Sequence, residues 1–370
     1  MSMQSDPRPE VIVTCLKKRL SGVTTTITNL LPEQAKHLNL GYCGSDIPGL
    51  KEAAASPRFQ RLSFWQAVWA SRKRLHDGRK IIWHVRRDNE MILGLLMRGV
   101  LRLPIALVFT SAATRRHGRW PLWLISRMDA VIATTPLAHE KIADVAPKNT
   151  RVIAHGVNTY SFVPPVNQAL AWQQTGLPGK YGIGVFGRVR HQKGIHLFVP
   201  ALIGLLPRYP DFTAVICGLC KPEDEVYKAQ LVAKIEAAGL TKRIIWLGLV
   251  PAEDLALWYQ RVSITVACPL NEGFGLTPIE GMACGSAVVA SRTGAFEEIV
   301  LEGVTGHLVP TDDVPTLVQA LEKLLQSPEQ ITRFAAAGRE RVVAHYSIES
   351  EARRIAEVYD LTQAESISRR

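Results

Sequence analysis

Residues Ser263 to Glu280 read Ser-Ile-Thr-Val-Ala-Cys-Pro-Leu-Asn-Glu-Gly-Phe-Gly-Leu-Thr-Pro-Ile-Glu and combine a short apolar run, a glycine-rich turn and a helix start. The apolar run predicts a buried strand over Ser263–Ala267. Thr277 is a favoured N-cap residue and Pro278 a favoured first helical residue, so a helix is expected to begin there. A buried strand that leads through glycines into a helix is typical of α/β folds with parallel sheets.

Short β-rich runs alternate with helical stretches in both directions from this segment, which predicts parallel sheets covered by helices on both faces. A loop-like segment at 156–180, with Pro164-Pro165 and Gly176-Leu-Pro-Gly179, interrupts the alternation as a linker does. Helices are expected at Phe64–His76, Asn89–Leu101 and, last, Ile348–Thr362. Strands are expected at Val11–Cys15, Leu38–Tyr42, Lys80–Val85, Pro104–Thr110, Ala130–Thr134, Arg151–Ala154, Tyr181–Phe186, Phe212–Cys217, Arg243–Leu247, Ser263–Ala267, Ala287–Ala290 and His307–Val309.

The length of 370 residues suggests two domains. We expect the α/β class, with two Rossmann-like, doubly wound domains. The first covers 1–165 and the second 178–346, and the C-terminal helix, 347–366, is expected to pack back on the first.

The formal net charge is +11, and the basic residues are concentrated in one region of the first half. From Arg58 to Arg127 there are 15 Lys and Arg against Asp77, Asp88 and Glu90. A field of this sign attracts phosphates, anionic lipid surfaces or nucleic acid, and the charge alone does not distinguish them. A nucleic-acid-binding protein is disfavoured, because interleaved aromatic residues and a helix-turn-helix or RNA-binding signature are absent.

Six cysteines are scattered along the chain, which is typical of reduced thiols in a cytoplasmic protein. Cys217 and Cys220 have the spacing of half a zinc site, but no second pair lies near them, so two thiols at a strand end are favoured. The polar first residues do not resemble a signal peptide. The apolar stretch Met91–Phe109 contains Arg98 and Arg102, so a transmembrane helix is not expected.

Ligands of doubly wound sheets bind at the carboxyl ends of the strands, which directs attention to the turn after Ala267. Gly273 and Gly275 allow a tight turn with amides that face a ligand, and the free amides at a helix start suit a phosphate. Glu272 is expected at the sheet edge, next to the reactive end of the ligand. Glu280, in the first helical turn, can bind vicinal hydroxyls such as those of ribose. The alternative is an acidic first turn that only stabilises the helix.

This segment resembles the E-x7-E signature of the retaining, GT-B-fold glycosyltransferases of family 4, whose two Rossmann-like domains face each other across a cleft. Phe186-Gly-Arg-Val-Arg-His-Gln-Lys-Gly194 is similar to the G-R…K-G loop of that family. The resemblance implies an acceptor-binding first domain and a nucleotide-sugar-binding second domain. It implies binding of the sugar-donor diphosphate by Arg188, Lys193, Leu276 and Thr277, of the donor sugar by Glu272, Gly273, Phe274 and Gly275, and of the ribose by Glu280.

Two fixed cations in this loop would stabilise the negative charge that develops on a departing diphosphate. The chain has no D-x-D carboxylate pair, so we expect no metal and no other cofactor. The role of Glu272 is expected to be stabilisation of a cationic transition state. Covalent catalysis and front-face attack within an ion pair both remain open.

In the first domain, Ser21-Gly22-Val-Thr24 resembles the first strand-to-helix loop of the family, which implies that Gly22 approaches the diphosphate. The opening segment and Trp83–Glu90 are similar to lipopolysaccharide core mannosyltransferases of α-proteobacteria. The basic residues of these two segments are the expected contacts of an anionic acceptor. They are Lys17, Lys18, Arg19, Arg86 and Arg87.

One departure from the family pattern concerns the catalytic residues of the first domain. Many members carry a His directly after the strand that ends here at Phe109, whereas this chain has Thr110 and Ser111. Either hydroxyl could perform a reduced version of that role, or the donor sugar is held differently. His84, at the end of another strand, is a candidate substitute, and a partly buried structural His is an equal alternative.

The predicted function is therefore transfer of a hexose, with mannose from GDP-mannose favoured, to a lipopolysaccharide core or similar anionic lipid-linked saccharide acceptor. The expected location is the cytoplasm, with peripheral association at the inner face of the cytoplasmic membrane through the basic region. A solvated basic face is the alternative to that association. Another UDP- or GDP-hexose transferase and a GT-B-fold nucleotide-sugar 2-epimerase are the alternative activities.

Overall fold

The computed structural model describes residues 6, 8–16, 22–113, 115 and 117–368. The chain forms two compact units, one made of Met1–His155 and Ile348–Arg370 and the other of Gly156–Ser347. Residues 156–165, assigned from the sequence to the first domain, group with the second unit. The C-terminal helix groups with the first.

The first unit is a seven-stranded parallel sheet in the order β3-β2-β1-β4-β5-β6-β7, with helices on both faces. One core lies between the sheet and helices α1, α2 and α15, and another between the sheet and helices α3, α4 and α5. The elements are β1 Val11–Cys15, α1 Gly22–Gln34, β2 Leu40–Gly44, α2 Leu50–Ala54, β3 Phe59–Arg61, α3 Phe64–Ala70, β4 Ile81–Val85, α4 Asp88–Gly99, β5 Ile105–Ser111, α5 Arg119–Ser126, β6 Ala130–Ala133, α6 Pro136–Glu140, β7 Thr150–Val152 and α15 Ile348–Ser368.

The second unit is a six-stranded parallel sheet in the order β10-β9-β8-β11-β12-β13. Its elements are α7 Gln168–Gln173, β8 Tyr181–Phe186, α8 Ile195–Leu205, β9 Phe212–Cys217, α9 Glu225–Ala237, β10 Ile244–Gly248, α10 Ala252–Arg261, β11 Ile264–Ala267, α11 Thr277–Ala283, β12 Ala287–Ser291, α12 Phe296–Ile299, β13 Gly306–Val309, α13 Val314–Gln326 and α14 Pro328–His345, with short 3-10 helices at His191–Lys193 and Pro222–Asp224.

Both sheets reverse their strand order next to the first strand of the unit, as doubly wound folds do, and ligands bind at that point. The predicted α/β class with two doubly wound sheets is confirmed. Every expected strand forms, with ends within two residues of the expected ones.

Three elements differ from the expectation, and one of them is the C-terminal helix α15, which ends at Ser368 and not at Thr362. The edge strand Phe59–Arg61 was not predicted, because its three residues are half-buried or exposed and carry no apolar run. Helix α3 was expected to reach His76 but ends at Ala70. The hydroxyl of Ser71 donates to the carbonyl of Ala67 and the guanidinium of Arg8 donates to carbonyls of the following turn, so the chain leaves the helix there.

Candidate active site

Two loops at the carboxyl edge of the second sheet are joined by a backbone hydrogen bond and a side-chain hydrogen bond. The amide of Leu270 donates to the carbonyl of Gln192 at 3.0 Å, and Gln192 Nε2 donates to the carbonyl of Asn271 at 3.0 Å. Gly194, at φ 75°, lies so close to Cys268 that an added Cβ would be 1.8 Å from the carbonyl oxygen. The loop after β8 and the loop after β11 therefore hold a fixed register.

This register brings two of the predicted site residues into contact. Lys193 Nζ forms a salt bridge with Glu272 Oε2, and both side chains are about three-quarters buried. The amide of Gly273 donates to the other carboxylate oxygen of Glu272 at 3.2 Å. The cation predicted for the diphosphate and the carboxylate predicted for the donor sugar thus neutralise each other in this structure.

Glu280, the predicted ribose ligand, is buried in the first turn of α11. Tyr259 donates its hydroxyl hydrogen to Glu280 Oε2 at 2.8 Å, and its ring stacks on Phe186 at 3.9 Å between centroids. Burial raises the pKa of Glu280 to about 7, against the opposing effects of the Tyr259 hydrogen bond and the charge of Lys193. Lys193 therefore acts electrostatically on both acidic residues of the signature.

The start of helix α11 corrects one detail. Thr277 was predicted to be the N-cap, but Leu276 occupies that position without a side-chain cap, and Thr277 is the first helical residue. Thr277 instead supplies one of the first amides of the helix, which have no intrahelical acceptor. Phe274 is buried, so only its backbone is available to a ligand.

Glycines keep the turn close to the acidic residue. Gly275 has φ 73°, and an added Cβ would lie 2.7 Å from Glu272 Cγ. An added Cβ at Gly294 would lie 2.4 Å from the Glu272 carbonyl oxygen and 2.2 Å from that of Gly273. A side chain at either glycine would displace Glu272, which the sequence predicts to lie next to the reactive end of the ligand.

Arg188 is half-buried in the loop after β8. In the described part of the chain its guanidinium has no hydrogen-bond or ion-pair partner. It shares this loop with Lys193. Of the two predicted diphosphate-binding cations, Lys193 thus forms an ion pair with a carboxylate, whereas Arg188 does not.

The first unit brings together the two catalytic candidates that were predicted there. His84 is fully buried on β4, and its Nε2 lies 2.7 Å from Thr110 Oγ1 on β5. Its Nδ1 lies 2.6 Å from the hydroxyl of Tyr359 on α15. Burial, and secondarily the charge of Arg86, holds the pKa of His84 well below its ordinary value, so the ring is neutral. Ser111 is also buried, and its hydroxyl has no partner among the described residues.

The predicted acceptor contacts fall into two groups. Lys17, Lys18 and Arg19 lie outside the described residues. Gly22, which was predicted to approach the diphosphate and not the acceptor, is the first residue of helix α1. Arg86 is buried at the end of β4. Arg87 is the N-cap of α4, where it forms a 3.6 Å ion pair with Glu90.

Sequence reasoning missed the two tyrosines that organise these sites. Tyr259 on α10 and Tyr359 on α15 are distant in sequence from their partners, and each occupies a position that reads as ordinary helix core. Nothing in a single sequence signals that these hydroxyls hydrogen-bond to Glu280 and His84.

Metal ligands, thiols and apolar helices could each add a further kind of site. The described residues contain no group of three or more His, Cys, Asp or Glu side chains arranged to hold a metal ion. All six cysteines are free thiols. Among the described helices, none combines the length and the apolar composition that crossing a membrane requires.

Comparison with known proteins places this chain in a family. Residues 167–341 match the family described as "Glycosyl transferases group 1". The lipopolysaccharide core biosynthesis mannosyltransferase LpcC of Rhizobium leguminosarum bv. viciae is 41% identical over 353 residues, covering 95% of this chain and 96% of that protein. The corresponding mannosyltransferase LpsB of Rhizobium meliloti is 40% identical over 357 residues, covering 95% and 97%.

Among solved structures, Anabaena HepE in complex with UDP and glucose matches with a TM-score of 0.77 and 17% identity, over 95% of this chain and 99% of that one. At this identity the match shows the fold alone, and it agrees with the predicted GT-B class. The identity of 40–41% to named mannosyltransferases extends over 95% of this chain, and it confirms the prediction of a glycosyltransferase. The chain belongs to the group 1 glycosyltransferases.

Proposed function

We propose that the protein transfers mannose from GDP-mannose, with retention at the anomeric carbon, to a lipopolysaccharide core or similar lipid-linked saccharide acceptor. The choice of mannose and of acceptor follows from the 41% identity to a lipopolysaccharide core mannosyltransferase. The observation that carries the chemistry is the contact between Lys193 and Glu272 at the carboxyl edge of the second sheet. This contact supports the proposal, because a sugar diphosphate needs a cation for its phosphates and a carboxylate near its sugar ring.

The proposed roles in the second unit follow from charge. Arg188 and Lys193 bind the diphosphate and stabilise the charge that develops on it as the glycosidic bond breaks. Backbone amides of Leu276 and Thr277 add to this, since the first amides of a helix have no intrahelical acceptor. Two protein cations can take the part that a divalent metal plays elsewhere, so we propose that the sugar donor is bound without a metal.

Glu272 is proposed to stabilise positive charge on the sugar ring, beside the backbone of Gly273–Gly275. The diphosphate and Glu272 compete for one lysine. When the diphosphate takes Lys193, the carboxylate of Glu272 is released, and it can then act on the sugar. Glu280 is proposed to accept hydrogen bonds from the ribose hydroxyls. We assign no covalent intermediate to Glu272, and both covalent catalysis and front-face attack within an ion pair remain open.

In the first unit, Thr110 is proposed to contact the reacting sugar, and His84 to position it. Both ring nitrogens of His84 are already engaged, and the ring has no exposed surface. It therefore acts through Thr110. The acceptor is proposed to bind the basic side chains that follow β1 and β4, namely Lys17, Lys18, Arg19, Arg86 and Arg87.

We further propose that the first unit docks on an anionic lipid surface at the inner face of the cytoplasmic membrane. Helices α3 and α5 pack on the same core and expose four tryptophans, which are Trp65, Trp69, Trp120 and Trp123. Trp120 stacks on Trp123, and the guanidinium of Arg127 lies 5.4 Å from the Trp123 ring. Tryptophan favours the membrane interface, and each nearby basic residue adds about 1 kcal/mol of attraction to anionic lipid. The six free thiols support a reducing compartment.

Transfer is tested with purified protein, EDTA and a lipopolysaccharide core acceptor, with GDP-mannose, UDP-glucose and UDP-galactose as alternative sugar donors. The expected result is transfer from GDP-mannose with an α-linked product, read by the anomeric NMR signal. A β-linked product would exclude retention. Transfer from UDP-hexoses alone would exclude the proposed sugar donor, and strict dependence on a divalent ion would exclude the metal-free proposal.

Docking is tested by flotation with phosphatidylglycerol vesicles at low salt. Wild type is expected to float with them and not with phosphatidylcholine vesicles, and replacement of Trp65 and Trp120 by Ser is expected to reduce flotation. Absence of flotation at low salt would leave the basic region as a solvated face.

A further inference from the structure

Arg86 carries a positive charge in an unusual environment. Its side chain follows β4 and is only 7% exposed. Its one side-chain hydrogen bond to a described residue is a long one, 3.4 Å from Nη1 to Thr26 Oγ1, and its Nε has no partner there. A buried guanidinium normally pairs with a carboxylate, because burying an unpaired charge costs free energy.

The two acidic residues whose charges act on Arg86 are committed to other groups. Glu90 accepts from Thr14 Oγ1 at 3.2 Å, from the Leu16 amide at 3.1 Å and from the amide of Arg86 at 2.8 Å. Glu351 pairs with His155 at 2.8 Å. Both acidic residues raise the pKa of Arg86 through space, but burial dominates and lowers it. Within the described ranges, no carboxylate lies at ion-pair distance from the Arg86 guanidinium.

A cavity of about 600 Å³ opens beside Arg86. Its described lining residues are Arg86, Arg87, Asp88, Asn89 and Ile92. The volume falls in the usual range for small-ligand pockets. The buried guanidinium of Arg86 and the first turn of helix α4 therefore line the same cavity.

The first turn of this 12-residue helix has no side-chain acceptor. The N-cap position, where Ser, Thr, Asp or Asn usually accepts a hydrogen bond from the first amides, is occupied by Arg87, which can only donate. The amides of Asp88 and Asn89 have no partner in the described structure. These amides and the positive end of the helix dipole favour an anion at the same place as Arg86 does.

We propose that Arg86 and the first turn of α4 form an oxyanion subsite that binds a carboxylate or phosphate group carried by the acceptor saccharide. This inference rests on the proposed transferase function, because it specifies the chemistry of the acceptor. Among the described lining residues Asp88 is the acidic one, and it is exposed. It can accept hydrogen bonds from sugar hydroxyls next to the anionic group. A sugar acid or a sugar phosphate therefore fits the lining better than a bare inorganic anion does.

Saturation-transfer difference NMR on the full-length protein tests this subsite without any sugar donor. The probes are glucuronate, mannose 6-phosphate and neutral mannose. The wild type is expected to bind at least one of the anionic sugars about tenfold more tightly than mannose. Preference for glucuronate alone identifies a carboxylate subsite, and preference for mannose 6-phosphate alone identifies a phosphate subsite.

Variants locate the binding. Arg86→Gln is expected to abolish the preference for the anionic sugar, and Arg86→Lys, which keeps the charge, to retain part of it. Arg353→Gln removes an exposed arginine on α15 of the same unit and should match the wild type. Lys193→Gln, in the second unit, measures how much of the anionic-sugar binding takes place at the proposed sugar-donor site.

The inference is overturned if neutral mannose binds as tightly as the anionic sugars, or if Arg86→Gln and Arg86→Lys both keep the full preference. Loss of the preference in Lys193→Gln but not in Arg86→Gln would assign the anion to the sugar-donor site. None of these measurements requires transfer. A failure of the subsite and a failure of the transferase proposal therefore give different results.

Discussion

The loops at the carboxyl ends of the two sheets differ in whether their positively charged side chains are paired with a carboxylate. In the second unit, Lys193 is matched by Glu272, and the pair is partly exposed. In the first unit, Arg86 is buried without a carboxylate at ion-pair distance among the described residues. On the proposed roles, a ligand of the second site displaces an internal partner, whereas a ligand of the first supplies a missing one. The residues that regulate binding and chemistry should therefore differ between the two sites.

The largest expected effect is that of Glu272→Gln on the rate of transfer. The change removes a negative charge at the reactive end of the proposed sugar-donor site. Loss of one preorganised electrostatic group lowers kcat by roughly 10²–10³-fold in known enzymes. Initial rates with saturating GDP-mannose check this.

Glu272→Gln also tests the contrast between the two units, because it removes the carboxylate that pairs with Lys193. GDP should bind Glu272→Gln as tightly as wild type or up to about fivefold more tightly, since a partly exposed ion pair is worth about 1 kcal/mol or less. Calorimetric titration measures this. An unchanged rate, or a loss of GDP binding, would contradict the assigned role.

The second expected effect is a pH dependence of stability caused by Glu280. Its pKa is raised from 4.5 to about 7 in the folded protein. Between these values the unfolded chain is ionised while the folded one binds a proton, so the free energy of unfolding falls as the pH rises. The loss reaches about 3 kcal/mol at most.

Glu280→Gln carries no titrating group and should lack this loss. Its stability relative to wild type should therefore increase from pH 5 to pH 8, as measured by thermal unfolding of both proteins. The pKa assigned to Glu280 is wrong if the difference between the two proteins stays constant across this range.

The third effect is that of Lys193→Gln on nucleotide binding. Loss of one charged contact to a diphosphate should weaken GDP binding by about tenfold. Lys180→Gln is the matched control, because Lys180 is exposed in the same unit and pairs with Asp211. Equal affinities of the two variants would remove Lys193 from the site.

The smallest effect is expected in the first unit. Tyr359→Phe removes the hydroxyl that lies 2.6 Å from Nδ1 of the buried His84. A buried polar atom without a partner costs about 1 kcal/mol or more. The melting temperature should fall, with GDP binding in the second unit unchanged. A fall in GDP affinity instead would show that His84 does more than position Thr110.

Much of the fold could be predicted because the strands are continuous apolar runs bounded by glycine and proline. Tyr181–Phe186 and Phe212–Cys217 form with the predicted ends. The short edge strand Phe59–Arg61 has no such run and was missed. In the site, local spacing predicted the glycine turn and both acidic residues.

Contacts between distant segments could not be predicted. Lys193 and Glu272 are 79 residues apart, and their pairing depends on the register of two loops. The partner of Glu280 comes from α10, and that of His84 from the C-terminal helix. The N-cap of α11 was assigned to Thr277 because local propensity favours it, but the helix begins so that Leu276 occupies that position.

The most direct test of the account is a crystal structure of the full-length protein with GDP bound in the absence of divalent metal. The account predicts that Lys193 and Arg188 contact the diphosphate, that Glu280 contacts the ribose, and that Lys193 no longer pairs with Glu272. A diphosphate bound elsewhere, with the Lys193–Glu272 pair intact, would contradict it.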